Sequence, residues 1–139
     1  MTVMSRPVHR TVDASVWDLL HSALRSLSDA QVATTAEQRY ASAHVAALRA
    51  AAAVLADCTR PNRGRPRSVW FLVSRVAPDL AEWCAFFAAG AGRRAAAEAG
   101  IRGSVTSREA DDLLRDARTF CQVVIDRLGV NCQIPLDVR

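Results

Sequence analysis

Residues 58–68 read CTRPNRGRPRS and place Arg60, Arg63, Arg65 and Arg67 together with no acidic residue between them. Pro61, Gly64 and Pro66 exclude regular structure there, so the guanidinium groups sit on an irregular connection between helices. Such groups can contact successive phosphates of RNA or DNA without reading the bases. The other use of such a segment is a solvated linker whose charge aids solubility. These four arginines match the whole formal net charge of +4. Their position carries the argument, because all 18 basic residues are Arg in an Ala-rich chain, a pattern that codon bias alone produces. Trp70 is the aromatic residue nearest to it, and its pattern is that of a core residue, not a stacking platform for bases. The other chemistry-bearing types are sparse. Cys58, Cys84, Cys121 and Cys132 form no CxxC pair and no Cys–His spacing suited to zinc. They are expected to be reduced, structural thiols of a cytoplasmic protein, with no metal and no cofactor. His9 and His21 stand in no constellation and are expected on the surface, whereas His44 falls on an apolar helix face.

The elements that position these residues are helical. At 139 residues and 15.1 kDa the chain fits one domain with its own core. Its longest apolar run, Trp83 to Gly92 counting glycines, spans ten residues, about half of what a membrane span needs. The opening MTVMSRPVHR has no apolar h-region, so no secretory signal is expected. Asp13 is placed to cap a first helix to about Ser28, with the stripe Val16, Leu20, Ala23 and Leu27. Thr34-Thr35-Ala36-Glu37 reads as a capping box opening a second helix, roughly 35–57. Tyr40, His44, Ala47, Ala51, Val54 and Leu55 share one face of it, within about 80°. Ala46, Ala50 and Ala53 lie away from that stripe, and a face so small and apolar is expected to pair with a second copy.

Ser68 is placed to cap a short helix, 69–77, which Pro78 ends or kinks. A fourth helix, 78–99, follows, with the stripe Leu72, Val76, Leu80, Trp83 and Phe87 crossing the junction. Gly90 and Gly92 weaken its middle unless they permit a close contact. Thr106-Ser107-Arg108-Glu109 is a second capping box. The last helix, 107–128, places Ala110, Leu113, Leu114, Ala117, Phe120, Cys121, Val124, Ile125 and Leu128 on one face, and Gly129 follows as a left-handed C-cap. The fold is therefore read as all-α, an antiparallel bundle of about five helices. Residues 1–11 form an N-terminal segment, 12–128 the helical domain and 129–139 a tail.

The segments RYASAHVAALRAAAAVLA (39–56), RPRSVWFLVSRVAPDLAEWCAFFAAGAGRRAAAEAG (65–100) and VTSREADDLLRDARTF (105–120), in that order, resemble the small stand-alone HEPN proteins of actinobacteria. The resemblance covers about 35–128. It implies an all-α bundle, commonly a homodimer, in a group whose members bind nucleotides or RNA. Many of those members are metal-independent ribonucleases with an Arg-x(4–6)-His motif, or toxins paired with an antitoxin. Arg39 and His44 are the residues here that fit the motif. In that role His44 shuttles a proton for attack by the RNA's own 2′-hydroxyl, and Arg39 holds the developing phosphorane charge. This chain departs from active members in having Tyr40 after the Arg, and in carrying the pair at the start of the second helix. The two side chains also lie about 140° apart around that helix, so a common pocket needs a second subunit. The competing reading makes His44 a hydrogen-bonded core residue and Arg39 a flanking residue of little structural weight.

The tail segment Gln133-Ile134-Pro135-Leu136-Asp137-Val138 is similar to the peptides by which bacterial replication and repair proteins bind the sliding clamp. There Gln133 would hydrogen-bond at one pocket while Ile134, Leu136 and Val138 supply apolar contacts. Packing of the same residues on the bundle is the alternative. The leading expectation is a non-catalytic HEPN-like module, homodimeric and without a membrane anchor, that binds nucleic acid, a nucleotide or a protein partner. A metal-independent ribonuclease using Arg39 and His44 is one alternative. An accessory protein of DNA-damage replication is the other.

Overall fold

The computed structural model describes residues 12–58 and 68–129. Helix α1 (Ala14–Val32) buries Val16, Leu20, Ala23, Leu27 and Ala30. It runs past Ser28 because Ala30 continues the buried stripe. Asp13 occupies the N-cap position, but its side chain makes no capping bond; its carbonyl oxygen accepts from Val16 and Trp17 instead. Helix α2 (Ala36–Asp57) starts one residue later than the first capping box implies. Thr35 is its cap and accepts from the Gln38 N–H at 3.0 Å. Glu37 is released from that box and accepts from the Gly103 N–H at 2.9 Å, on the turn before the last helix.

The small face of α2 is covered within the chain. Ala43, Ala46, Ala47, Ala50, Ala51 and Ala53 are fully buried, and α2 packs chiefly against α1 on one side and the last helix on the other. Alanine allows such close approach on two sides at once. The expectation that Ala46, Ala50 and Ala53 form a surface for a second copy is therefore overturned.

Helix α3 (Val69–Val76) is capped by Ser68, whose hydroxyl accepts from the Phe71 N–H at 3.1 Å. Ala77 then leaves helical geometry, and Pro78–Leu80 form a single 3₁₀ turn. This break rotates the register. Trp70, Val73, Ala77 and Leu80 face the core, whereas Val76 is exposed and Leu72 half-buried, contrary to the expected stripe. The expected fourth helix is two helices, α4 (Ala81–Ala89) and α5 (Ala91–Glu98), divided at Gly90. The last helix, α6 (Ser107–Leu128), has a complete capping box between Thr106 and Glu109 and buries all nine residues of its expected stripe. Gly129 closes it at φ 68°.

Two layers of contact hold the bundle. The alanine seam of α2 lies between α1 and α6. On the other side Trp70, Trp83, Phe87 and Phe120 form an aromatic cluster whose ring centroids lie 5.1–6.0 Å apart. At the far end of α6, Arg127 grips both carboxylate oxygens of Asp79, at 3.0 and 3.1 Å, and ties that helix to the 3₁₀ turn. Among the described residues there is no strand, and no helix is long and apolar enough to cross a membrane.

Candidate functional site

Arg39 and His44 stand on the first turns of α2 but face different neighbours. The Arg39 guanidinium reaches back over the end of α1. Its Nε donates to the Ala30 carbonyl at 3.0 Å and its Nη2 to the Ala33 carbonyl at 3.1 Å. Its Nη1 pairs with Asp111 of α6 at 2.7 Å. Carbonyls at a helix C-terminus lack intrahelical donors, and Arg39 supplies two. It is thus a clamp joining α1, α2 and α6, which corrects its reading as a flanking residue of little weight.

His44 points into the aromatic side of the core and is 1 % exposed. Its Nε2 lies 3.0 Å from the Phe87 carbonyl oxygen, so that nitrogen carries the proton and donates. Trp70 and Phe87 meet the ring edge-on, at centroid distances of 6.1 and 5.8 Å. Nδ1 is buried without a hydrogen-bond partner. Burial holds the His44 pKa below its ordinary 6.5, with the nearby Arg94 acting the same way, although the Phe87 bond opposes the shift. The imidazole is therefore neutral at neutral pH. Within one chain the geometry gives a core histidine and a structural arginine, not a shared phosphate pocket.

A cleft of about 450 Å³ opens beside His44, lined by Tyr40, His44, Phe86, Phe87, Gly90 and Arg93 among others. Gly90 lets the backbone of this segment come close to α2 at the cleft wall. A Cβ there would meet the Tyr40 hydroxyl at 3.0 Å and His44 Nε2 at 3.7 Å. Tyr40 is almost fully buried, and burial raises its phenol pKa. Arg93 pairs with Glu109 at 2.6 Å. The Thr106 N–H bonded to Glu109 is the main reason its carboxyl stays below the usual range. His44 Nε2 and Arg93 at the cleft are thus already engaged, while Phe86 on its lip is 47 % exposed. Of these residues Tyr40, His44 and Phe87 were expected on apolar faces, and Gly90 stood out as a glycine inside a helical pattern. Nothing there marked Phe86 or Arg93.

Arg60, Arg63, Arg65 and Arg67 lie outside the described residues, as do Gln133, Ile134, Leu136 and Val138 of the tail. The helix ends that flank the arginine segment are firm. The Cys58 N–H bonds the Leu55 carbonyl at the end of α2, and Ser68 caps α3. Among the described residues no group of three or more His, Cys, Asp or Glu converges to hold a metal ion. Residues 30–125 match a family model described as SAV_6107-like HEPN. No curated protein and no solved structure matches the chain.

Proposed function

This chain belongs to the HEPN family, and from that premise we propose that it is a non-catalytic member, a helical module that binds RNA or DNA through phosphate contacts. The observation that carries the non-catalytic reading is the state of the motif pair. Arg39 has its guanidinium directed to two backbone carbonyls and a carboxylate. His44 is sealed in the core with its proton directed to Phe87. A catalytic pair needs a cation free to meet a phosphorane and an imidazole within reach of a 2′-hydroxyl. Here both groups serve the fold.

Phosphate contact falls to Arg60, Arg63, Arg65 and Arg67, the one place where the sequence concentrates charge. Contacts of this kind are sequence-tolerant and steeply salt-dependent. The test titrates fluorescently labelled single-stranded RNA and DNA at several salt concentrations, with wild type and a variant in which all four arginines are Gln. Loss of four contacts is expected to lower the log–log salt slope by about 3–4 units. Folding is expected to be unchanged, because the segment joins helices that are capped independently. No binding at low salt, or equal binding by both proteins, overturns the phosphate reading. RNA cleavage that Arg39→Ala and His44→Ala both abolish without a change in Tm overturns the non-catalytic one.

A further inference from the structure

Cys84 and Cys121 are buried, whereas Cys58 is half-exposed at the C-cap of α2. Cys132 follows Gly129, the C-cap of α6, by three residues and lies outside the described residues. We propose that Cys58 and Cys132 form a reversible dithiol–disulfide pair within one chain, a modification site that responds to small-molecule disulfides.

Helices α2 and α6 run in the same direction. Arg39, near the start of α2, pairs with Asp111, near the start of α6. Farther along both, Cys121 Sγ lies 3.8 Å from the Ala46 carbonyl oxygen. The two helices therefore end on the same side of the bundle. At about 1.5 Å per residue, Cys58 stands about 18 Å beyond Ala46 and Gly129 about 12 Å beyond Cys121, so α2 overshoots α6 by about 6 Å. Arg127, on the last turn of α6, is close enough to Asp57 and Cys58 to feel their charge, which sets the two helix ends side by side. With the axes of an alanine seam about 8 Å apart, the gap from Gly129 to Cys58 is about 10 Å. Three residues of chain span up to about 10 Å, and a disulfide adds about 5.5 Å between its Cα atoms. Chain and bridge together exceed the gap, so Cys132 reaches Cys58 with both helices in place.

The other two thiols do not compete. Burial raises both, Cys121 to about 12, so they supply little thiolate near neutral pH. The Cys58 thiolate attacks one sulfur of a disulfide such as oxidised glutathione. That S–S bond breaks, one glutathione leaves as a thiolate, and Cys58 carries the other as a mixed disulfide. The Cys132 thiolate then attacks the Cys58 sulfur and expels the second glutathione. The two protein thiols lose two electrons and two protons, and the reagent gains both as two free thiols. The product ties the start of the arginine segment to the start of the tail and closes α3 to α6 into one covalent loop. This pairing stands whether or not the arginines contact phosphate.

The test incubates the reduced, full-length chain with equimolar reduced and oxidised glutathione near neutral pH. Samples quenched in acid are read by non-reducing gel electrophoresis and peptide mass spectrometry. The expected product is a single chain with the Cys58 and Cys132 peptides linked and with Cys84 and Cys121 still reduced. Cys58→Ser and Cys132→Ser are each expected to stop at a mixed disulfide on the remaining thiol, with circular dichroism unchanged. In urea a long flexible loop separates the two cysteines, and closure of the 58–132 bridge from the mixed disulfide is expected to slow by about 10- to 100-fold. Wild type that stops at the mixed disulfide, that links through a second chain, or that closes the bridge as fast in urea as in buffer overturns the assignment.

Discussion

Acidification from pH 7 to pH 5 is expected to destabilise the protein through one residue, His44. In the folded state its Nε2–H is bonded to Phe87, its Nδ1 has no partner and its ring is packed between aromatic edges. A proton added to Nδ1 would bring a charge into a buried site among aromatic rings. The folded-state pKa is accordingly below 6.5, burial being the main cause. Between the folded value and 6.5 the unfolded chain binds more protons than the native one, so stability rises with pH across that window. The contribution is complete above about 6.5 and is lost as pH falls toward the folded value. Its steepest possible slope is about 1.4 kcal/mol per pH unit for one proton. Glu109 and Asp79 act with the same sign. Both carboxyls are held low by hydrogen bonds, from Thr106 and Arg127 respectively. Their contributions are present above the ordinary carboxylate range and disappear only below it, so the two windows separate. Urea unfolding at several values between pH 5 and pH 8, followed by circular dichroism, measures the slope. His44→Gln keeps an N–H for the Phe87 carbonyl but cannot titrate, and is expected to flatten the profile between pH 5 and 7. A flat wild-type profile, or the same slope in His44→Gln, refutes the reasoning.

Two further outcomes follow from the same packing. Arg39→Ala is expected to lower stability by about 1–3 kcal/mol, because the guanidinium that joins the Ala30 and Ala33 carbonyls to the carboxylate of Asp111 is lost; Arg39→Lys keeps the charge but not the fork and is expected to recover only part of this in urea titrations. Cys84 and Cys121 are buried, and burial pushes the Cys121 thiol up to about 12. Ellman's reagent on the native protein is therefore expected to leave both unmodified until denaturant is added, while the half-exposed Cys58 reacts.

The parts of the fold that could be read from sequence were those fixed by local chemistry. Helix α6 is the clearest. Its Thr106–Glu109 box, its unbroken apolar stripe and its Gly129 C-cap each depend on residues within one turn. Where a partner lay far along the chain, local reading went astray. Glu37 leaves the first capping box because the Gly103 N–H, 66 residues on, offers it a bond. With Thr34 and Thr35 adjacent, the cap then falls to the second. The stripe across Pro78 failed because it assumed one helical phase, whereas Ala77 resets that phase. The core position of His44 agreed with its place on an apolar face. The role of Arg39 could not be read at all, because its anion is on α6, 72 residues away. The cleft was invisible for the same reason: it arises where α2, α4, α5 and α6 meet, and Tyr40, His44, Phe87 and Gly90 stood out only as features of their separate helices.

The alanine seam has a consequence for how this chain can change over evolutionary time. A core built of large side chains drifts readily, because a loss of volume in one residue can be offset by a gain in another. The aromatic side, where Trp70, Trp83, Phe87 and Phe120 interlock, has that freedom. The seam between α1, α2 and α6 does not. At Ala43, Ala46, Ala47, Ala50 and Ala51, all fully buried, every replacement except glycine or serine adds bulk, and an added methyl group must press on a helix packed against α2. Overpacking of this kind costs about 1–3 kcal/mol at a single site, a large share of the stability of a domain this size. Variation in such a protein is therefore channelled: one half of the core is open to exchange, while the other stays locked to the smallest side chains, whatever ligand its surface comes to bind.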